Sequence, residues 1–153
     1  MDEEGARHVT KTMHELFREL HEKLREQVRD LDQDALNWSP VPGANSIAVL
    51  VTHSIGSERE MLRAIRQVRM PRDRDAEFKS RAGSASLLEM IDAADKDLDE
   101  FLEPATGTDL TEMRPRGDRP PRPGLNWLVN NYGHVREHLA QIELTRQLHD
   151  SRK

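Results

Sequence analysis

Met13-His14-Glu15-Leu16-Phe17-Arg18-Glu19-Leu20-His21-Glu22-Lys23-Leu24-Arg25-Glu26-Gln27-Val28 is a run in which apolar residues return every three or four positions. Met13, Leu16, Phe17, Leu20, Leu24, Val28 and then Leu31 fall on one side of a 3.6-residue helix, with charged groups on the other. The stripe predicts an amphipathic helix over about 8–30 that must bury one face against partners.

Three more segments carry the same period. Ile47, Leu50, Val51, Met61, Leu62, Ile65 and Val68 predict a helix over about 46–69, with Asn45 or Ser46 as its cap. Leu87, Ile91, Ala94, Leu98 and Phe101 predict one over about 86–102, opened by the capping-box spacing of Ser86-Leu87-Leu88-Glu89. Leu128, Tyr132, Val135, Leu139 and Ile142 predict the last, over about 126–149. At ~1.5 Å per residue these rods are roughly 25–35 Å long and suited to packing side by side. The expected fold is all-α, a four-helix bundle forming a single domain over residues 1–153. Its order is either up-down-up-down or one with a crossover. The connection over 103–124 is long and rich in Pro, Gly and Arg, and no strand-like alternation is visible in it or elsewhere.

Composition narrows the function. The chain has 153 residues, enough for one good core. Charged residues make up 33 % and hydrophobic ones 35 %, but the apolar positions are periodic, so a folded chain is expected rather than a disordered one. A net charge of -5 argues against a nucleic-acid partner, which a basic surface would serve. With no cysteine, disulfides, thiol nucleophiles and thiolate ligands are excluded. No apolar run in residues 1–20 suits a secretion signal and none elsewhere suits a membrane span, so a cytoplasmic protein without a membrane partner is expected.

The chemistry rests on histidine. His134 and His138 stand four residues apart, so both imidazoles project from one helical face. They flank the apolar stripe together with Trp127, Asn131, Gln141 and Thr145, which suggests a polar pocket beside the core. A third ligand from another helix would complete a three-nitrogen metal site with a coordination position left open. His53 borders the second stripe, with Ser57 and Glu60 on its side; His14 and His21 flank the first. Pattern alone does not choose among the three.

Two stretches resemble a known family. Trp38-Ser39-Pro40 followed by Asn45-Ser46-Ile47-Ala48-Val49-Leu50-Val51-Thr52-His53 is similar to the start of the second helix in DinB-like four-helix bundles. His134-Val135-Arg136-Glu137-His138-Leu139-Ala140-Gln141-Ile142 is similar to that family's last helix. The resemblance implies a divalent metal, zinc or nickel, held by His53, His134 and His138. The better-understood relatives are thiol-dependent: mycothiol- or bacillithiol-using transferases and a maleylpyruvate isomerase. Relatives often pair through helix faces, so a homodimer is expected as well.

Three neutral ligands leave a bound metal its full charge, which favours ionisation of a coordinated water or thiol. Because the chain lacks cysteine, a sulfur nucleophile must arrive as a low-molecular-weight thiol cosubstrate. Glu137 and Glu60 are candidate general bases or partners that orient an imidazole. Trp38, Trp127 and Asn131 are candidate pocket walls. The expected function is a metal-dependent transferase that activates such a thiol, or water, against a small electrophile. The alternatives are a metal-dependent hydrolase using the same site, and a non-catalytic stress-response bundle that binds a small ligand or a protein partner.

Overall fold

The computed structural model describes residues 1–152. Four long helices carry the fold: α1 (Glu3–Val28), α3 (Ile47–Ile65), α5 (Ser84–Asp97) with its π-helical extension Leu98–Leu102, and α7 (Gly124–Asp150). Short helices lie between them, α2 (Gln33–Asn37), α4 (Arg74–Glu77) and α6 (Gly107–Thr111). The stripe read from the sequence is the buried face of α1: Met13, Phe17, Leu20, Leu24 and Val28 all lie inside. Each such side chain, fully buried, contributes on the order of 1.5–3 kcal/mol.

The bundle has a crossover order. α3 packs against α7 and α5, and α1 packs against the same two, which leaves α1 and α3 across the bundle from each other. That makes α3 the most enclosed helix, with thirteen of its nineteen residues buried. Polar groups pushed inside on α3 therefore need partners. Glu58 has one across the diagonal, where His21 Nε2 lies 2.9 Å from its Oε1.

Several helix ends differ from the sequence reading. α1 starts at Glu3 rather than near residue 8, because Asp2 caps it by accepting from the Gly5 N–H at 2.8 Å. Ser46 caps α3 as expected, accepting from the Val49 N–H at 3.2 Å. The helix stops at Ile65 and not near 69, since Gln67 turns left-handed (φ 57°) and the Val68 N–H returns to the Arg63 carbonyl at 2.8 Å. The expected capping box at Ser86 does not form. α5 begins two residues earlier behind Gly83, which has no side chain to cap with, and Ser86 sits within the first turn.

The segment 103–124 is not a plain loop. After α6, strands β1 (Met113–Arg116) and β2 (Arg119–Pro123) form an antiparallel hairpin with Arg116 opposite Arg119. Gly117, at φ 55°, makes the turn. The strands leave no mark on the sequence pattern because their inward side chains are Arg114 and Arg116, while the outward ones are Met113 and Pro115. An apolar-in alternation is absent, and the prolines remove ladder donors.

Candidate metal centre

α3 and α7 lie side by side, and this brings the three histidines together. Each of His53, His134 and His138 offers one ring nitrogen, all within 4.8 Å of one another. The Nε2 atoms of His53 and His134 are 3.2 Å apart. Two ligands at ~2.0–2.1 Å from a common tetrahedral ion would be separated by roughly 3.3 Å.

Two of the other ring nitrogens, those of His53 and His138, are held by acceptors. His53 Nδ1 donates to Glu77 Oε2 at 3.0 Å. His138 Nδ1 donates to Gln141 Oε1 at 2.8 Å. Each contact places the proton on Nδ1 and leaves the Nε2 lone pair pointing at the shared space. His138 Nε2 is buried and has no hydrogen-bond partner among the described residues. A buried nitrogen left with a lone pair costs free energy unless something accepts it, and a cation between the three rings does so. The residues present thus fit a divalent metal.

At His134 and His53, electrostatics favour the neutral ring a metal needs. Burial pushes His134 down to about 4, aided by the charges of His138, His53, Arg116 and Arg72. Burial also lowers His53, and its Glu77 contact only partly offsets this. Glu77 is itself anchored: Arg72 donates to it from Nε at 2.6 Å and from Nη2 at 2.8 Å. Arg72 Nη1 also donates to Glu60 Oε2 at 2.6 Å. A relay Glu60–Arg72–Glu77 therefore stands behind His53.

Beside His53 and His134 opens a cavity of about 170 Å³, walled in part by Ser57, Trp127 and Asn131. Trp127 donates its indole N–H to the Arg114 carbonyl at 2.8 Å, fastening α7 to the hairpin. Asn131 donates to Ser57 Oγ at 2.9 Å. A larger groove of about 760 Å³ is lined by Glu60, Arg72 and Arg116 but by none of the three histidines.

The remaining sequence candidates are spread out. Glu137 is exposed and does not line the cavity. Trp38 packs at the bundle end, its ring 5.4 Å from that of His149 and under the Arg152 guanidinium. His14 pairs with Asp99 at 2.8 Å, and Arg18 grips the same carboxylate, an ordinary surface arrangement. His21 is enclosed between Glu58 and Asp95.

Glu77, Arg72, Gly56 and Arg116 have no counterpart in the sequence reading. Gly56 left a faint signal, lying one turn after His53 beside Ser57. The others belong to segments without periodicity, where nothing local marks them.

A family model for the DinB superfamily matches residues 16–142, a span containing all three histidines. No curated protein matches the chain. Among solved structures, a conserved protein from Enterococcus faecalis superposes with a TM-score of 0.76 at 18 % identity, over 92 % of this chain and 96 % of that one. A DinB-like protein from Bacillus cereus superposes with a TM-score of 0.68 at 16 % identity, over 84 % of each chain. At these identities the likeness shows the fold alone.

Proposed function

The chain belongs to the DinB superfamily, and from that premise we propose that it is a divalent-metal-dependent transferase. Its substrates are a low-molecular-weight thiol and a small electrophile. The observation that carries the reading is the convergence of ring nitrogens of His53, His134 and His138 within 4.8 Å, with His138 Nε2 buried and unpaired among the described residues. Zinc or nickel suits three imidazole ligands.

A divalent ion held there would supply Lewis acidity, making a thiol or water ionise nearer neutral pH. The chain's own residues do the positioning. Glu77 and Arg72 hold the His53 ring, Gln141 holds that of His138, and Glu60 keeps Arg72 in place. Trp127 and Asn131 wall the space where the electrophile would sit. In the transfer, the thiol proton passes to solvent, the sulfur lone pair forms the new S–C bond, and the leaving group departs with the displaced pair.

Metal analysis is the first test. The purified protein should carry about one divalent ion per chain, and His138→Ala should lose it. Full metal in that variant overturns the ligand set. Assays then pair mycothiol, bacillithiol or glutathione with a panel of electrophiles. A rate no higher than free metal gives with the same thiol overturns transfer. Turnover without thiol assigns the hydrolase alternative; metal binding without turnover of any kind assigns the non-catalytic bundle.

We also propose that the protein is a homodimer. Val129, Leu144 and Leu148 on α7 are 54, 55 and 42 % exposed, and a second copy is proposed to cover them. Sedimentation of the wild type beside Leu144→Glu tests this, and a monomeric wild type overturns it.

A further inference from the structure

The cavity beside His53 and His134 is lined by three guanidiniums, those of Arg74, Arg116 and Arg119, and among the described residues by no carboxylate. Arg116 is 5 % exposed and donates from Nη2 to the Ser57 carbonyl at 2.7 Å and to Ser57 Oγ at 2.9 Å. Its Nε is buried and meets no acceptor among the described residues. The nearby acid, Glu60, is overcommitted: its Oε2 accepts from Arg72 at 2.6 Å and stands 3.6 Å from Arg116 and 3.8 Å from Arg119. Arg72 has the Glu77 carboxylate as well, so Arg116 and Arg119 are left to share one oxygen already engaged by Arg72. Arg74, 5.8 Å above the Phe78 ring, is exposed. Asn131, 2 % exposed, also lines the cavity, its Oδ1 without a partner among the described residues.

Uncompensated positive charge around a partly enclosed space attracts an anion. Guanidinium forks match a planar carboxylate in two-point contact. A volume of about 170 Å³ is roughly six times the ~30 Å³ share of one water, room for a carboxylate on a short carbon chain. Crowding of like charge is visible on Arg116 itself, which burial, with Arg119 and Arg72, pulls down to about 10 against the pull of Glu60.

We infer that the electrophile is a small organic carboxylate. Its anionic group docks on Arg119 and Arg74 over Arg116, and its reactive carbon faces His53 and His134. This rests on the metal-site reading for its chemistry, but the docking of the anion needs no metal.

The test is calorimetric titration of the full chain, chelator-treated and metal-loaded, with succinate, succinamide and inorganic phosphate. Succinate should bind both forms, weaken as salt is raised, and exceed its neutral diamide. The variant carrying Arg74→Gln and Arg119→Gln should bind succinate about tenfold or more weakly, the loss expected for charge-assisted hydrogen bonds. Its metal content should equal the wild type's. Succinate binding no tighter than succinamide overturns the inference, as does unchanged succinate affinity in the double variant. Phosphate binding without succinate binding overturns the carboxylate assignment. Metal content, measured separately in each sample, tells failure of this inference from failure of the metal centre. Both substituted arginines are at the surface, and an unchanged unfolding midpoint verifies that the variant is folded.

Discussion

Gly56 and Glu77 share a contact that no side chain on residue 56 would permit. A β-carbon built on Gly56 overlaps Glu77 Oε1 and stands 3.0 Å from Glu77 Cδ. The carboxylate uses that space to reach His53, one turn earlier on the same helix, at 3.0 Å.

Gly56→Ala should therefore weaken metal binding without unfolding the chain. The methyl displaces Glu77, and His53 loses the acceptor that fixes its ring. Loss of such an orienting partner costs about 10–100-fold in metal affinity. Alanine's better helix propensity, about 1 kcal/mol over glycine, works in favour of α3. Competition against a chromophoric chelator measures the affinity; a wild-type value would show that Glu77 does not position His53.

His134 and His21 of the metal-free protein should titrate far apart. His134 is expected near 4, where burial and neighbouring positive charge hold it, and a ring-proton titration by NMR reads this directly. The unfolded chain, with His134 at 6.5, binds more protons in this range, so this residue makes stability fall as pH drops from 6.5 toward 4. A His134 midpoint at or above 6.5 would contradict the burial argument.

His21 should act in the opposite window. Both its ring nitrogens face carboxylate oxygens, Asp95 at 2.7 Å and Glu58 at 2.9 Å, and only the imidazolium can donate to both. Burial alone would lower His21, but Glu58 and Asp95 outweigh it and raise the group to about 9. Burial pushes Glu58 up while His21 pulls it down; with both ring nitrogens engaged, the geometry places the charge on His21. Folded His21 holds its proton more tightly than the unfolded chain does. Its contribution is complete below pH 6.5 and is lost as pH rises through 9, on the order of 3 kcal/mol across the window. Urea unfolding of wild type and His21→Gln at pH 6 and pH 9 checks this: the decline should be much flatter in the variant.

Gln67→Gly should stabilise the chain. Gln67 occupies the left-handed position that ends α3, at φ 57°, where a side chain costs about 1 kcal/mol and glycine nothing. The gain expected is roughly 0.5–1 kcal/mol, read as a shift of the urea midpoint at constant slope. No shift, or a loss, would mean that the Gln67 side chain repays its strain elsewhere.

The four helices were legible because burial of one face imprints a period on the sequence, and Met13 through Val28 shows it plainly. His134 and His138 were legible as a pair for the same reason, since four residues is one turn. The hairpin was not, because Arg114 and Arg116 occupy the inward positions that a strand normally gives to apolar residues. Nor was the relay behind His53: Glu77 lies 24 residues from its partner, in a segment whose pattern says only that it is charged.

Which residues form helices, and which faces of those helices go inside, follow from local patterning, because those choices are made within a few residues of chain. That α3 lies against α7 with α1 across the bundle follows instead from long-range packing. That arrangement places His53 beside His134 and His138, and encloses His21 between Glu58 and Asp95 instead of leaving it a rival ligand. The reason is physical: a helix's own period fixes the direction of its side chains, but which neighbour they meet depends on how the helices pack and how the connections close, and no local pattern encodes that.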